Sequence, residues 1–163
     1  MTRSSEAVPT PMRILDQAGA AYAVTEHRAI RTADDVATWL ELPVERSVKT
    51  LAFEGARDGL VLAVLPGPAR LDYRGLAEAV GTSRSRLRPA DPAVLDALDM
   101  EPGGASPLSD AEGVITVFDV AVAGMGPVYC GSGRNDRTLR VDGRDLLRLA
   151  RNPREARIAR PAG

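Results

Sequence analysis

Twenty arginines and one lysine, Lys49, supply the basic side chains of this 163-residue sequence. A lysine ends in a compact ammonium with three rotatable donors and a pKa that shifts readily on burial, whereas arginine is a wide fork that stays charged. A chain that uses arginine wherever a solvated cation suffices, yet keeps one lysine, marks a place that wants the smaller head. A pocket holding a phosphate or a developing negative charge is such a place. His27 and Cys130 are equally solitary. One of each cannot furnish the clustered nitrogen and sulfur ligands of a zinc or transition-metal site, so neither a metal nor a cofactor is expected. No G-x-S-x-G elbow is present, and the phosphate fingerprints G-x-x-x-x-G-K-[ST] and G-x-G-x-x-G are missing.

The chemistry left over belongs to the backbone. Gly103-Gly104-Ala105-Ser106-Pro107 and Gly131-Ser132-Gly133-Arg134 are glycine-rich, and glycine lacks the side chain that would hold a substrate away from the amides. The plainer readings are a connection and a hairpin turn. Cys130 reads as a small buried hydrophobe, and His27 as a hydrogen-bonded residue at a strand end.

Helices and strands must position these groups. Thr10-Pro11 opens a short amphipathic helix carrying Met12, Leu15 and Ala18 and stopped by Gly19. Residues 22–27 alternate as a strand, and Thr32 opens a second helix bearing Val36, Trp39 and Leu40. Residues 48–53 and 60–65 read as strands joined through Asp58-Gly59, with Lys49 near the start of the first. The second run is apolar without a break, which suits a central strand covered on both faces. A helix over 72–80, an arginine-rich strand over 84–88 and a helix over 91–98 opened by Asp91-Pro92 follow. Strands are expected at 114–118, 127–130 and 138–141, with a last helix around Leu146 to Ala150. Hairpins among interspersed helices predict a mixed, mostly antiparallel α/β sheet in a single domain.

With 44% apolar residues and a formal charge of −1, the chain suits one compact domain. No apolar run approaches the roughly 20 residues of a membrane span and the N-terminus lacks a signal stretch, so the cytosol is the expected compartment. Residues 140–163 carry seven arginines against Asp142, Asp145 and Glu155. Such a segment either holds phosphates or is a solvated helix end and tail.

Val48-Lys49-Thr50-Leu51, the Gly103 to Pro107 loop and Val128-Tyr-Cys-Gly131-Ser-Gly133-Arg134, in this order and spacing, resemble the YbaK/prolyl-tRNA synthetase-associated editing domain family. The Glu26-His27 pair, the Asp91-Pro92 helix start and Asp145-Leu146-Leu147 support the likeness, which runs from about residue 10 to about residue 150. It implies a barrel-like sheet surrounded by helices, in an editing domain over 9–155 between a disordered tail at 1–8 and a basic C-terminal tail at 156–163. The implied activity is that of a free-standing, cytoplasmic hydrolase removing a wrong amino acid from aminoacyl-tRNA, typically tRNA(Pro). Prolyl-tRNA synthetase is a further implied partner, with neither DNA nor membrane involved. A non-catalytic tRNA- or synthetase-binding module with the same fold is the alternative.

In that family the strand lysine is the main catalytic side chain, and the matching residue is Lys49. It either anchors the terminal phosphate or polarises the ester carbonyl. Thr25, His27, Gly103, Gly104, Ser106, Pro107, Gly131, Ser132, Gly133 and Thr138 are the implied substrate-binding residues, with Arg134, Arg148 and Arg151 at the RNA. Cysteine-specific members carry a tyrosine and an aspartate where this chain has Thr25 and Thr138. That difference leaves alanine, serine, threonine or another small residue as the one removed.

Overall fold

Six apolar residues in succession, Leu60 to Leu65, run through the middle of the protein. They belong to β3 (Gly59–Pro66), the central strand of a five-stranded sheet. Residues 8–30, 42–56 and 59–161 are described by the computed structural model. β3 pairs antiparallel with β2 (Val48–Ala56) and parallel with β6 (Val114–Asp119). β5 (Arg88–Pro89) lies outside β2 and β9 (Pro153–Ala156) outside β6. Because side chains alternate along a strand, β3 feeds cores on both faces. Val61, Ala63 and Leu65 pack with Leu71, Leu76, Val80 and Ile158. Leu62 meets Leu98, Met100 and Val114, and Val64 joins Val48 and Phe118.

The helices start where aspartate or proline permits. Thr10–Ala18 forms α1, with Pro11 in its first turn and Gly19 closing it at φ 68°. Asp72 accepts from the Gly75 amide to cap α2 (Tyr73–Val80). Asp91 and Asp142 do the same for α3 (Pro92–Ala97) and α4 (Gly143–Leu149). Each cap satisfies an amide that the helix leaves without a partner.

A second sheet has the order β1-β8-β7, all antiparallel, from Tyr22–Glu26, Arg137–Asp142 and Pro127–Gly131. A third joins β4 (Arg70–Leu71) to β10 (Ala159–Arg160). The architecture is the expected mixed, mostly antiparallel α/β fold, but it is three separate sheets and not a closed barrel. β2 approaches β7 through one parallel bridge, Ser47 to Tyr129, and forms no ladder with it.

Two expectations are corrected. Residues 84–88 form a 3-10 turn, Arg84–Arg86, before the two-residue β5, because Leu87 alone turns inward there and no alternating apolar pattern supports a strand. The segment from residue 156, expected as a tail, returns to the core. Ile158 is fully buried, and Asp119 Oδ1 accepts the amides of Ile158 and Ala159, each at 2.9 Å. The helix opened by Thr32, with Trp39, lies outside the described residues, as do Asp58 of the hairpin turn and residues 1–7.

Candidate active site

Strand register lines up the outer face of the second sheet. Thr25 stands opposite Thr138, and Thr138 opposite Gly131. Val128, Cys130 and Leu139 fill the core on the inner face together with Val48. Strand alternation therefore places Thr138 and Gly131 on the outer face, and Lys49 beside Val48 on that side too. The Ser47 to Tyr129 bridge is parallel, so β2 and β7 run on from it in the same direction, towards Lys49 on one and Gly131 on the other. Thr25, Thr138, Gly131 and Lys49 thus follow one another across four strands.

Burial of Lys49 lowers its pKa below the ordinary lysine value, and no neighbouring charge offsets that. Among the described residues it has no ion pair. A desolvated, unpaired ammonium interacts strongly with any anion brought to it. At the other end of the row His27 is held by its ring. Its Nδ1 lies 2.7 Å from the Arg28 carbonyl oxygen and its Nε2 2.8 Å from Thr138 Oγ1. A carbonyl only accepts, so Nδ1 carries the proton, and in the neutral ring Nε2 accepts from the Thr138 hydroxyl.

The two glycine-rich segments lie against each other. A Cβ on Gly131 would run into the Ala105 carbonyl, and one on Gly104 into the Arg134 backbone. Gly133 donates to Gly104 O at 2.7 Å, and Glu101 donates to Gly133 O at 2.8 Å. Gly103 has φ 85° and sits against the Ile30 carbonyl, where only glycine fits without strain. Among the described residues neither the Ala105 amide nor the Ser132 amide donates a hydrogen bond. Ala105 is half-buried beside Gly131, so its amide remains available as a donor next to the row, whereas that of the fully buried Ser132 is enclosed by the loop.

The predicted serines serve the loops themselves. Ser106 and Ser132 are fully buried. Ser106 Oγ accepts from Leu108 N at 3.1 Å, and Ser132 Oγ donates to Arg137 O at 2.7 Å and accepts from Arg134 N at 3.2 Å. Pro107 is buried beside Ser106. Arg134 also turns inward, since its side chain is only 12% exposed and pairs with Asp99 at 3.2 Å. Its Nη1 donates to Asp99 O at 3.0 Å. Arg148 is exposed but pairs with Asp145 at 3.0 Å, while Arg151 is exposed. Burial pushes the Cys130 thiol up to about 12, which keeps it protonated and inert as a nucleophile.

Asp99 and Glu101 are the residues that sequence reasoning missed. Asp99, at φ 62°, accepts from the Thr10 amide and hydroxyl while holding Arg134. Glu101 Oε1 accepts from Asn135 N at 3.2 Å. The signal was two acids just before one glycine-rich loop and an arginine in the other. Among the described residues no group of three or more His, Cys, Asp or Glu is arranged to hold a metal, and no helix is long and apolar enough to cross a membrane.

Known proteins resemble this chain along the same stretch. It is 30% identical over 99 residues to a proline–tRNA ligase of Thermosipho africanus, a match covering 61% of this chain and 14% of the ligase. A Pelobacter propionicus proline–tRNA ligase is 26% identical over 107 residues, covering 66% of the chain and 18% of the ligase. The chain thus spans less than a fifth of either relative. A crystal structure described as a proposed trans-editing enzyme for prolyl-tRNA synthetase superposes with TM-score 0.75 at 26% identity, covering 95% of this chain and 99% of that one. A hypothetical protein at 23% identity has the same fold, with TM-score 0.75 over 91% of this chain and 98% of its own. The model of the aminoacyl-tRNA editing domain matches residues 27–149. That span takes in His27, Lys49, both glycine-rich loops and Thr138, the residues the folded chain assembles, and by it this chain belongs to the aminoacyl-tRNA editing domain family.

Proposed function

We propose that the protein is a trans-editing hydrolase that removes a mischarged small amino acid from aminoacyl-tRNA, with tRNA(Pro) as its acceptor. The observation that carries this reading is the position of Lys49: a partly desolvated ammonium with no ion pair among the described residues, at the end of a row formed by Gly131, Thr138 and Thr25. Family membership supports aminoacyl-tRNA as the substrate class, and the likeness to proline–tRNA ligases and to the trans-editing structure favours tRNA(Pro).

An aminoacyl ester is already activated, so its hydrolysis needs a positioned water and a stabilised oxyanion more than a protein nucleophile. Water adds to the ester carbonyl carbon, and the negative charge that develops on the carbonyl oxygen is met by the Lys49 ammonium and the free Ala105 amide. The bond to the ribose oxygen then breaks, and that oxygen leaves with the proton that water gives up. Thr25, Thr138 and His27 border the aminoacyl side chain, with the His27 ring fixed by its two hydrogen bonds. Exclusion of larger residues by such a wall is worth about 1–3 kcal/mol per methylene.

The test is single-turnover deacylation of tRNA(Pro) charged separately with alanine, serine, threonine, cysteine and proline. Fast loss of one small non-proline residue is expected. Spontaneous rates with all five would overturn the reading.

A further inference from the structure

Two segments that meet in the fold, away from the C-terminal helix, hold a concentration of exposed arginines without an ion pair among the described residues. Residues 66–90 and 153–161 carry eight arginines against Asp72, Glu78 and Glu155, a net +5 on a chain of net −1. The fold brings the two segments together. Arg70 of β4 stands directly opposite Arg160 of β10. The start of α2 docks on the same return, with the Asp72 amide donating to Ile158 O at 2.7 Å and Gly75 packed on the Arg157 carbonyl. Arg84 lies over the Tyr73 ring, 4.2 Å from its centroid. Arg70, Arg74, Arg84, Arg157 and Arg160 are all exposed, and among the described residues none has an ion pair. Asp72 is occupied in capping α2, which leaves Glu78 as the acid on that helix's exposed side.

Like charges directly opposite across a ladder repel, and an anion between Arg70 and Arg160 removes that cost. We propose that this surface binds the phosphate backbone of an RNA, the body of the aminoacyl-tRNA whose ester the Lys49 row hydrolyses; the inference rests on that reading of the site. Phosphate is favoured over a protein partner because the surface lacks an apolar centre. Among the described residues the exposed large aliphatic side chains, Val8, Val24, Val44 and Val120, all fall outside the two segments, with Val44 and Val120 at their margins, whereas a protein interface has a desolvated apolar core. The surface also adjoins the reactive end. Gly67 N donates to Ser47 O at 2.8 Å, beside the start of the strand that carries Lys49. Arg70 follows three residues later, within about 10 Å of chain.

The experiment measures binding of uncharged tRNA(Pro) across salt concentrations for the wild type and the triple variant Arg70→Gln, Arg157→Gln, Arg160→Gln, with circular dichroism and melting temperature as controls for folding. Each phosphate contact contributes roughly 0.7–0.9 to the slope of log K against log salt. The variant is expected to bind at least tenfold more weakly at low salt, with a slope shallower by about 2. A control variant at an exposed position of the C-terminal helix, Arg144→Gln, is expected to bind as the wild type does. Unchanged affinity and slope in the triple variant would overturn the proposal, as would loss of binding to prolyl-tRNA synthetase with tRNA binding intact. Because uncharged tRNA is the probe, the outcome is separate from deacylation. Arginine-dependent binding without turnover would sink the editing reading alone, and turnover without arginine dependence would sink this one alone.

Discussion

The Thr138 hydroxyl lies 2.8 Å from His27 Nε2, and the opposite nitrogen of the same ring is committed to the Arg28 carbonyl. The one histidine of the chain is therefore held from both sides. In the proposed mechanism it is a wall with a fixed orientation, since both ring nitrogens are engaged. Thr138→Val removes the donor to Nε2 at nearly constant volume. Loss of that bond costs about 1 kcal/mol, and the loosened ring should blur discrimination between alanine and serine by several-fold while the rate falls less than tenfold. Competition between the two charged tRNAs measures it.

Selectivity should also respond to the pair Thr25 and Thr138, which face each other across β1 and β8. The family resemblance implies tyrosine and aspartate at the matching positions of cysteine-specific members. The double variant Thr25→Tyr, Thr138→Asp is expected to raise the deacylation rate of cysteinyl-tRNA(Pro) relative to the alanyl form at least tenfold, a shift of about 1.4 kcal/mol. The ratio of the two single-turnover rates reads this directly.

Lys49 predicts a conflict between stability and activity. Burial lowers its pKa in the folded state, so the folded protein carries a desolvation cost in full below that folded value. The cost is relieved as pH rises towards the unfolded value of about 10.4, which means wild-type stability increases with pH across that window. Lys49→Met keeps most of the aliphatic stem and removes the charge. At neutral pH it should melt higher than the wild type, and the alkaline rise in stability should vanish. Thermal melts from pH 7 to 10 test both points.

Asp99 and Arg134 clamp the two glycine-rich loops together. Burial alone raises the Asp99 carboxyl, but the two hydrogen bonds from Thr10 and the Arg134 guanidinium outweigh it and hold the carboxyl below its ordinary value. A lowered carboxylate contributes stability that is complete above the unfolded pKa of about 3.9 and is lost as pH falls through the folded value. Asp99→Asn retains a residue tolerant of positive φ and should cost about 1 kcal/mol at pH 7, or roughly 2–4 °C. The difference from wild type should shrink as pH drops below 4, as melting temperatures measured from pH 7 to 3 will show.

Gly131→Ala should separate the loops sterically. Its Cβ would overlap the Ala105 carbonyl, a backbone atom that cannot rotate away. The expected result is at least a tenfold loss of deacylation, with destabilisation of about 1–3 kcal/mol as the loop backs off. A denaturant melt alongside the rate measurement distinguishes a displaced loop from an unfolded chain.

Much of the fold was legible because local rules decided it. Asp72, Asp91-Pro92 and Gly19 mark helix ends by their own chemistry, and the unbroken Leu60 to Leu65 run announced a central strand. Of the candidate site, Lys49 stood out by its solitude and the two loops by their glycines. The inward turn of Arg134 was not, because it depends on Asp99, which is 35 residues away and has an unusual backbone angle. Nor was the return of the C-terminal segment. An arginine-rich stretch reads as solvated, and the order of this one comes from Asp119 on a distant strand and from a single buried residue, Ile158.

The central claim is that the Lys49 ammonium stabilises the charge formed on the ester. Its most direct test is the single-turnover deacylation rate of the preferred charged tRNA(Pro), corrected for spontaneous hydrolysis, for the wild type and Lys49→Met from pH 6 to 9.5. The account predicts a loss of about 10²–10³-fold in the variant, and a wild-type rate that falls at high pH as the lysine deprotonates below its ordinary value. A variant that deacylates at the wild-type rate, with the same pH profile, would contradict it.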